Sequence, residues 1–298
     1  MSTTRTAVYS SLDKPWSYVV LTKPDVTFLV VITTVAGFYL ASPGHLDWAL
    51  LMHTLFGTTL VGAGTAALNQ YFERDMDALM RRTAARPLPT GMLQPRDVLI
   101  FGIVTIVVGG AWLALAVNWL ASLLALATTV LYLGLYTPLK TRTTWATAVG
   151  AFPGALPPLI GWAAAARGSL SAGAWVLFGI LFLWQFPHFM AIAWMYREDY
   201  ARAGIKMLPV VDPSGDATFA QIIGTSAMLV PMSLLPAVMG MAGIHYFFGA
   251  LVLGMILLQV ALWANRHRAN VRAKWLMHAT VAHIPILLAW MIFDKVSR

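Results

Sequence analysis

Long apolar runs alternate with short polar breaks along the whole chain. Apolar runs of about 17–25 residues have the length a helix needs to cross hydrocarbon. Nine are predicted, near residues 26–42, 48–70, 98–117, 119–138, 145–166, 172–195, 218–240, 245–264 and 275–293. The expected fold class is all-α, a polytopic membrane protein with nine spanning helices. The chain reads as one membrane-embedded domain over 1–298, with 1–24 as a cytoplasmic N-terminal segment. Proline suits the first turn of a helix, so Lys23-Pro24-Asp25 marks the start of the first span. Met1-Ser2-Thr3-Thr4 is polar and shows no short apolar core with a small-residue cleavage site. No signal peptide is expected, and the first span should direct insertion.

Composition agrees with this pattern. Of the 298 residues, 59% are hydrophobic and 11% charged, against about 25% charged in a soluble globule; the mean hydropathy is +0.71. A water-soluble enzyme and a disordered chain are both excluded. With no cysteine, disulfides, thiolate nucleophiles, iron–sulfur clusters and Cys-bound zinc are excluded too. The net charge of +8 could suggest nucleic acid, but the basic residues are divided among several membrane-adjacent loops. All of the 20 lysines and arginines except Arg167, Lys295 and Arg298 fall on one side of the spans. That bias places the N-terminus in the cytoplasm and the C-terminus outside, and reads as a topogenic, lipid-facing rim.

All of the 12 acids except Asp47 and Asp294 lie on that same side. Topology does not require this, so chemistry is expected there, mainly in the two long loops near 71–97 and 196–217. In the first, Asn69, Glu73 and Asp77 stand at i, i+4 and i+8. At 3.6 residues per turn they share one helix face. Three stacked oxygen-bearing groups repel unless something positive sits between them, and hard oxygen ligands suit Mg²⁺ completed by phosphate. A solvated helix end balanced by nearby arginines is the plainer alternative. Arg82 and Arg86 follow in a turn broken by Pro87, Pro89 and Gly91; arginine forks match phosphate oxygens. Tyr136 and Lys140 are one turn apart if the helix persists past Pro138, with Arg142 just beyond. The second loop repeats the mixture with Glu198, Asp199, Arg202 and Lys206. Two acidic loops on one side suggest two metal positions on one diphosphate.

Asn69-x-x-x-Glu73-x-x-x-Asp77, then Arg82-Thr-x-x-Arg86-Pro-Leu, then Tyr136-x-x-x-Lys140 and a second acidic loop, resemble the UbiA superfamily of intramembrane prenyltransferases. Trp184-Gln185-Phe186-Pro187-His188-Phe189 and Asp199-Tyr200-x-x-Ala203-Gly204-x-x-Met207-Leu208-Pro209 resemble its haem O synthase branch, the protohaem IX farnesyltransferases. Two departures stand out. Gln70 takes the place of an acid often found after the Asn, and Tyr196 and Tyr200 take the places of paired aspartates in quinone-type members.

The resemblance implies a UbiA-type bundle with a cytoplasmic-facing site in a bacterial-type plasma (inner) membrane. It implies transfer of a farnesyl group from farnesyl diphosphate to a vinyl group of haem B, with water addition, giving haem O and diphosphate. It implies Mg²⁺ on Asn69, Glu73, Asp77, Glu198 and Asp199, and a catalytic set of Asn69, Glu73, Asp77, Arg82, Arg86, Lys140 and Arg142. Tyr136, Gln185, His188, Arg202 and Lys206 would bind substrate, and Tyr132, Tyr136 and Phe189 would line a dry cavity. The product would be handed to a haem-copper oxidase or a haem A synthase. A farnesyl chain in water costs up to roughly 12 kcal/mol at about 0.8 kcal/mol per CH₂, so a site inside the bilayer follows.

Seven histidines are present. His53, His188, His278 and His283 fall within predicted spans, where a polar group is costly, and His188 is the foremost candidate for the haem iron. His45, His245 and His267 read as loop residues. Two rivals stand: a UbiA-type enzyme acting on an aromatic acid or quinone precursor, and a non-enzymatic haem-handling protein or transporter. Transporters place ionisable groups near the midplane, whereas the acids here crowd the rim.

Overall fold

The computed structural model describes residues 13–296, the side chain of Asp13 aside. Arg5, Arg298 and the polar start Met1–Thr4 lie outside the described residues. After a short amphipathic helix α1 (Asp13–Leu21), the chain runs α2 (Pro24–Ala41), α3 (Trp48–Leu79), α4 (Pro95–Ala116) and α5 (Trp119–Val130). A π-helical turn (Leu131–Tyr136) and α6 (Thr137–Leu139) extend α5. Then come α7 (Ala146–Gly154), α8 (Pro157–Ala165), α9 (Ala172–Met195), α10 (Arg197–Arg202), α11 (Leu208–Val211), α12 (Asp216–Val238), α13 (Ile244–His267) and α14 (Asn270–Phe293). Among the described residues nine segments are long and apolar enough to span a bilayer, each overlapping a predicted run. The fifth, Ala146–Ala165, is bent between α7 and α8, where Pro153, Pro157 and Pro158 remove backbone donors.

Successive spans pack on one another, and α14 returns to pack on α2, so the circuit closes. Large apolar side chains such as Ile100, Val107, Leu115, Val130 and Phe248 are exposed on the outside, as expected where lipid is the solvent. The half-span α8 crosses inside, against α2, α3, α5 and α9. Its approach to α2 is backbone to backbone. A Cβ on Gly161 would collide with the Thr34 carbonyl oxygen, and one on Gly37 with that of Pro158. Gly161→Val is therefore expected to force the two helices apart, at a cost on the order of 3 kcal/mol. A thermal-stability scan of the detergent-solubilised protein should show it as a lowered midpoint.

Two features place the chemistry. Helix α3 runs unbroken for 32 residues, from the Asp47 cap to Leu79, so the Asn69–Asp77 stripe belongs to the same rigid rod as the second span. Pro138 does not end its helix. The preceding π turn lets the Thr137 N–H bond to the Tyr132 carbonyl, and the Lys140 N–H still reaches the Tyr136 carbonyl at 3.2 Å. Such single π turns absorb a break in the ladder while the rod continues.

Candidate active site

The three oxygen-bearing residues of α3 are all buried: Asn69 is 1% exposed, Glu73 6% and Asp77 0%. Asp75, on another face, is exposed. Burial removes the solvated-end alternative, because a carboxylate taken out of water must be paired. Each residue meets one cation, and each cation comes from a different segment. Lys23 Nζ donates to Asn69 Oδ1 at 2.8 Å. Lys140 Nζ donates to Glu73 Oε1 at 2.5 Å. Arg86 Nη1 donates to Asp77 Oδ2 at 2.6 Å. Asn69 Nδ2 also lies 3.5 Å from the Thr137 hydroxyl. Asp77 Oδ1 is buried with no hydrogen-bond partner among the described residues.

Each cation is held locally. Lys23 sits in the left-handed region at φ 47°, which costs a side-chain-bearing residue about 1–2 kcal/mol. Gln70 secures that turn, its amide N donating to the Leu21 carbonyl at 3.0 Å. Burial first, and then the nearby Arg86, lower the Lys23 ammonium to about 7. Lys140 lies 4.3 Å above the Tyr136 ring. Burial opposes its charge, but Tyr136 and Glu73 outweigh that and raise its ammonium above the ordinary range. Arg86 is carried by a turn folded back on α3: the Thr83 hydroxyl donates to the Asp77 carbonyl at 2.9 Å.

The second loop docks on this assembly. The Lys206 N–H donates to the Lys140 carbonyl at 2.7 Å, and the Arg82 N–H to Asp199 Oδ2 at 3.3 Å. Arg202 pairs with the other oxygen of Asp199. The Arg82 guanidinium lies 5.3 Å from the Tyr196 ring centre and 5.9 Å from that of Tyr200. The two tyrosines at the departing positions therefore cradle an arginine.

Several sequence expectations fare differently. Glu198 is exposed while its neighbour Asp199 is buried, so the two do not converge as a pair of ligands. Side chains of adjacent residues on a helix diverge by about 100°, and Asp199 is already engaged by Arg82 and Arg202. The side chains of Arg142 and Lys206 are exposed and make no ion pair among the described residues. Gln185 is buried, and its amide N donates to the Ala151 and Leu181 carbonyls at 3.0 and 3.1 Å; it ties α9 to α7 and offers no free donor. His188 Nδ1 lies 2.9 Å from the Thr280 hydroxyl. Lys23 and Thr137 were missed. The one signal for Lys23 was a cation directly before the proline that opens α2.

The donor set fits a hard divalent cation. Three oxygen-bearing side chains share a buried face, and one carboxylate oxygen, Asp77 Oδ1, is unpartnered. No cluster of three or more His, Asp or Glu that could hold a metal ion by themselves occurs among the described residues. Glu198 with Asp199 does not fit a second cation.

Comparison with known proteins follows the same lines. The profile of the UbiA prenyltransferase family matches residues 30–290. A protein of Solibacter usitatus named protoheme IX farnesyltransferase is 47% identical over 287 residues, covering 93% of this chain and 98% of that one. A solved structure of digeranylgeranylglyceryl phosphate synthase in membranes superposes with a TM-score of 0.78 at 17% identity, over 95% of this chain and 98% of the other. A UbiA homologue from Archaeoglobus fulgidus, solved with DMAPP and Mg²⁺, gives 0.64 at 16% identity, over 92% and 99%. At these identities the solved structures speak for the fold alone.

Proposed function

The chain is a member of the UbiA prenyltransferase family, and from that premise we propose that it transfers a farnesyl group from farnesyl diphosphate to a vinyl group of protohaem IX. The observation that carries this reading is the buried stripe on α3, where Asn69, Glu73 and Asp77 each meet a cation from a separate segment. The name of the Solibacter relative and the Trp184–Phe189 stretch favour haem over an aromatic acid as acceptor. The cation-lined site lies at the end of a span, which favours an enzyme over a transporter.

Ionising an allylic diphosphate separates a carbocation from a highly charged leaving group. Asn69, Glu73 and Asp77 would hold Mg²⁺, which would supply Lewis-acid charge to the diphosphate oxygens. Lys140 and Arg86, paired with Glu73 and Asp77 on the same face, would turn their charge to those oxygens. Arg82, held by Tyr196 and Tyr200, adds a fixed positive charge where a second metal's ligands do not fit. The C–O bond breaks, and diphosphate leaves with the pair. The allylic carbon bonds to the vinyl group, and the cation left on the haem side takes hydroxide from water, releasing a proton. Tyr132 and Tyr136, ring centres 5.0 Å apart, offer π-faces to the allylic cation. The side carrying these loops faces the cytoplasm of a bacterial-type inner membrane, by the distribution of Lys and Arg. The product passes to a haem-copper oxidase or a haem A synthase.

Mass spectrometry of haems extracted from cells with and without this chain tests the acceptor. A farnesylated hydroxyethyl haem should appear only with it. If the two haem profiles are identical, the acceptor is not haem. Arg82→Gln is expected to raise KM for farnesyl diphosphate about tenfold, the worth of one charge-assisted contact, with a smaller change in kcat. Initial-rate kinetics on the purified protein check it.

A further inference from the structure

We infer that His188 Nε2 is the axial ligand that seats the haem iron, and that Thr280 is the residue that aims it. The inference rests on the haem-acceptor reading above. It starts from a hydroxyl proton. Thr280 Oγ1 donates to the Met277 carbonyl at 2.6 Å, which uses its one hydrogen. The contact of 2.9 Å between Thr280 Oγ1 and His188 Nδ1 is then assigned as Nδ1–H donating to that oxygen. In the neutral ring the lone pair is left on Nε2.

The ring is also fixed in direction. It stacks on Trp184 at 4.9 Å with 14° between planes, and Phe189 meets it edge-on at 5.3 Å. Trp184 in turn donates its Nε1–H to the Thr280 carbonyl at 2.7 Å. Trp184, His188 and Thr280 thus close a triangle between α9 and α14. Nε2 has no hydrogen-bond partner among the described residues, and the His188 side chain is half-buried. An imidazole whose Nδ1–H is held by an oxygen, with an unpartnered and oriented Nε2, is the arrangement by which proteins present histidine to a metal. Haem iron takes such a nitrogen.

The other membrane histidines lack one element or another. Both nitrogens of His283 are buried without a partner among the described residues, so neither can reach a large planar ligand. His278 lines an outer groove of about 570 Å³ with Trp263 and Trp275, but no hydrogen bond among the described residues fixes its ring. His53 is exposed beside Trp112, tilted at 45°.

The test is spectroscopic. The full-length protein in detergent is titrated with protohaem and followed by absorption and resonance Raman. The parent should give a histidine-ligated spectrum. His188→Ala should abolish it and weaken haem binding on the order of tenfold or more, and added imidazole should restore the ligated spectrum. Thr280→Val should keep the ligand but lower the iron–histidine stretching frequency in the ferrous state, because the Nδ1–H loses its acceptor. A purely structural threonine would leave that frequency unchanged, and this result would overturn its role. An unaltered spectrum in His188→Ala, or loss of the spectrum in His278→Ala instead, overturns the ligand assignment. A parent protein that binds no haem overturns the acceptor reading itself.

Discussion

Asp77→Asn is expected to lower the rate of farnesyl transfer on the order of 10²-fold, the effect of deleting one fixed group aimed at developing charge. The side chain keeps its volume and loses its charge. Asp77 is fully buried and holds Arg86 at 2.6 Å through one oxygen, while the other has no donor among the described residues. The substitution should therefore remove a ligand and release Arg86 in one step. Folding should suffer little, since Arg86 is 21% exposed and can regain water. The expected signature is a fall in kcat, a higher Mg²⁺ requirement and a nearly unchanged melting temperature. Turnover within a few-fold of the parent would remove Asp77 from the site.

Lys140→Met should be as costly, by a different route. Lys140 is 9% exposed and bonded to a buried carboxylate. Breaking such a pair typically costs about 3–5 kcal/mol, because the remaining charge has no solvent. The variant should melt at a lower temperature in EDTA and recover part of the loss on adding Mg²⁺, which gives Glu73 a new counter-charge. Activity should fall on the order of 10²-fold even with Mg²⁺ present, because the diphosphate loses a cation. Lys140→Arg should restore stability before it restores rate, since a planar fork does not reproduce a point charge over the Tyr136 ring. Equal melting curves with and without Mg²⁺ would separate Glu73 from metal binding.

The spans were legible because hydrocarbon demands a long apolar run for each crossing. The α3 stripe was legible because the period of a helix puts i, i+4 and i+8 on one face. Its counter-charges were less so. Arg86 lies nine residues from Asp77, on the turn that follows α3; in the sequence it read as a phosphate contact, and the fold-back that pairs it with Asp77 left no signal in the spacing. Lys23 is separated from Asn69 by 46 residues and resembled any topogenic lysine; only the closing of the bundle brings α1 and α2 to the end of α3. Glu198 and Asp199 misled because adjacency in sequence is divergence on a helix. Gln185 misled because a polar group inside a span also serves to join helices, here α9 to α7. Thr280 carried no signal of its own, and its role depends on a contact between α9 and α14.

The central claim is that the buried face of α3 draws off diphosphate with a divalent cation. Diphosphate release from farnesyl diphosphate, measured against Mg²⁺ concentration for the parent and for Glu73→Gln, tests it most directly. The account predicts no release in EDTA, saturable release on adding Mg²⁺, and a variant that needs far more Mg²⁺ and stays slow. Equal release without any divalent cation, or a variant whose Mg²⁺ curve overlays the parent's, would contradict it.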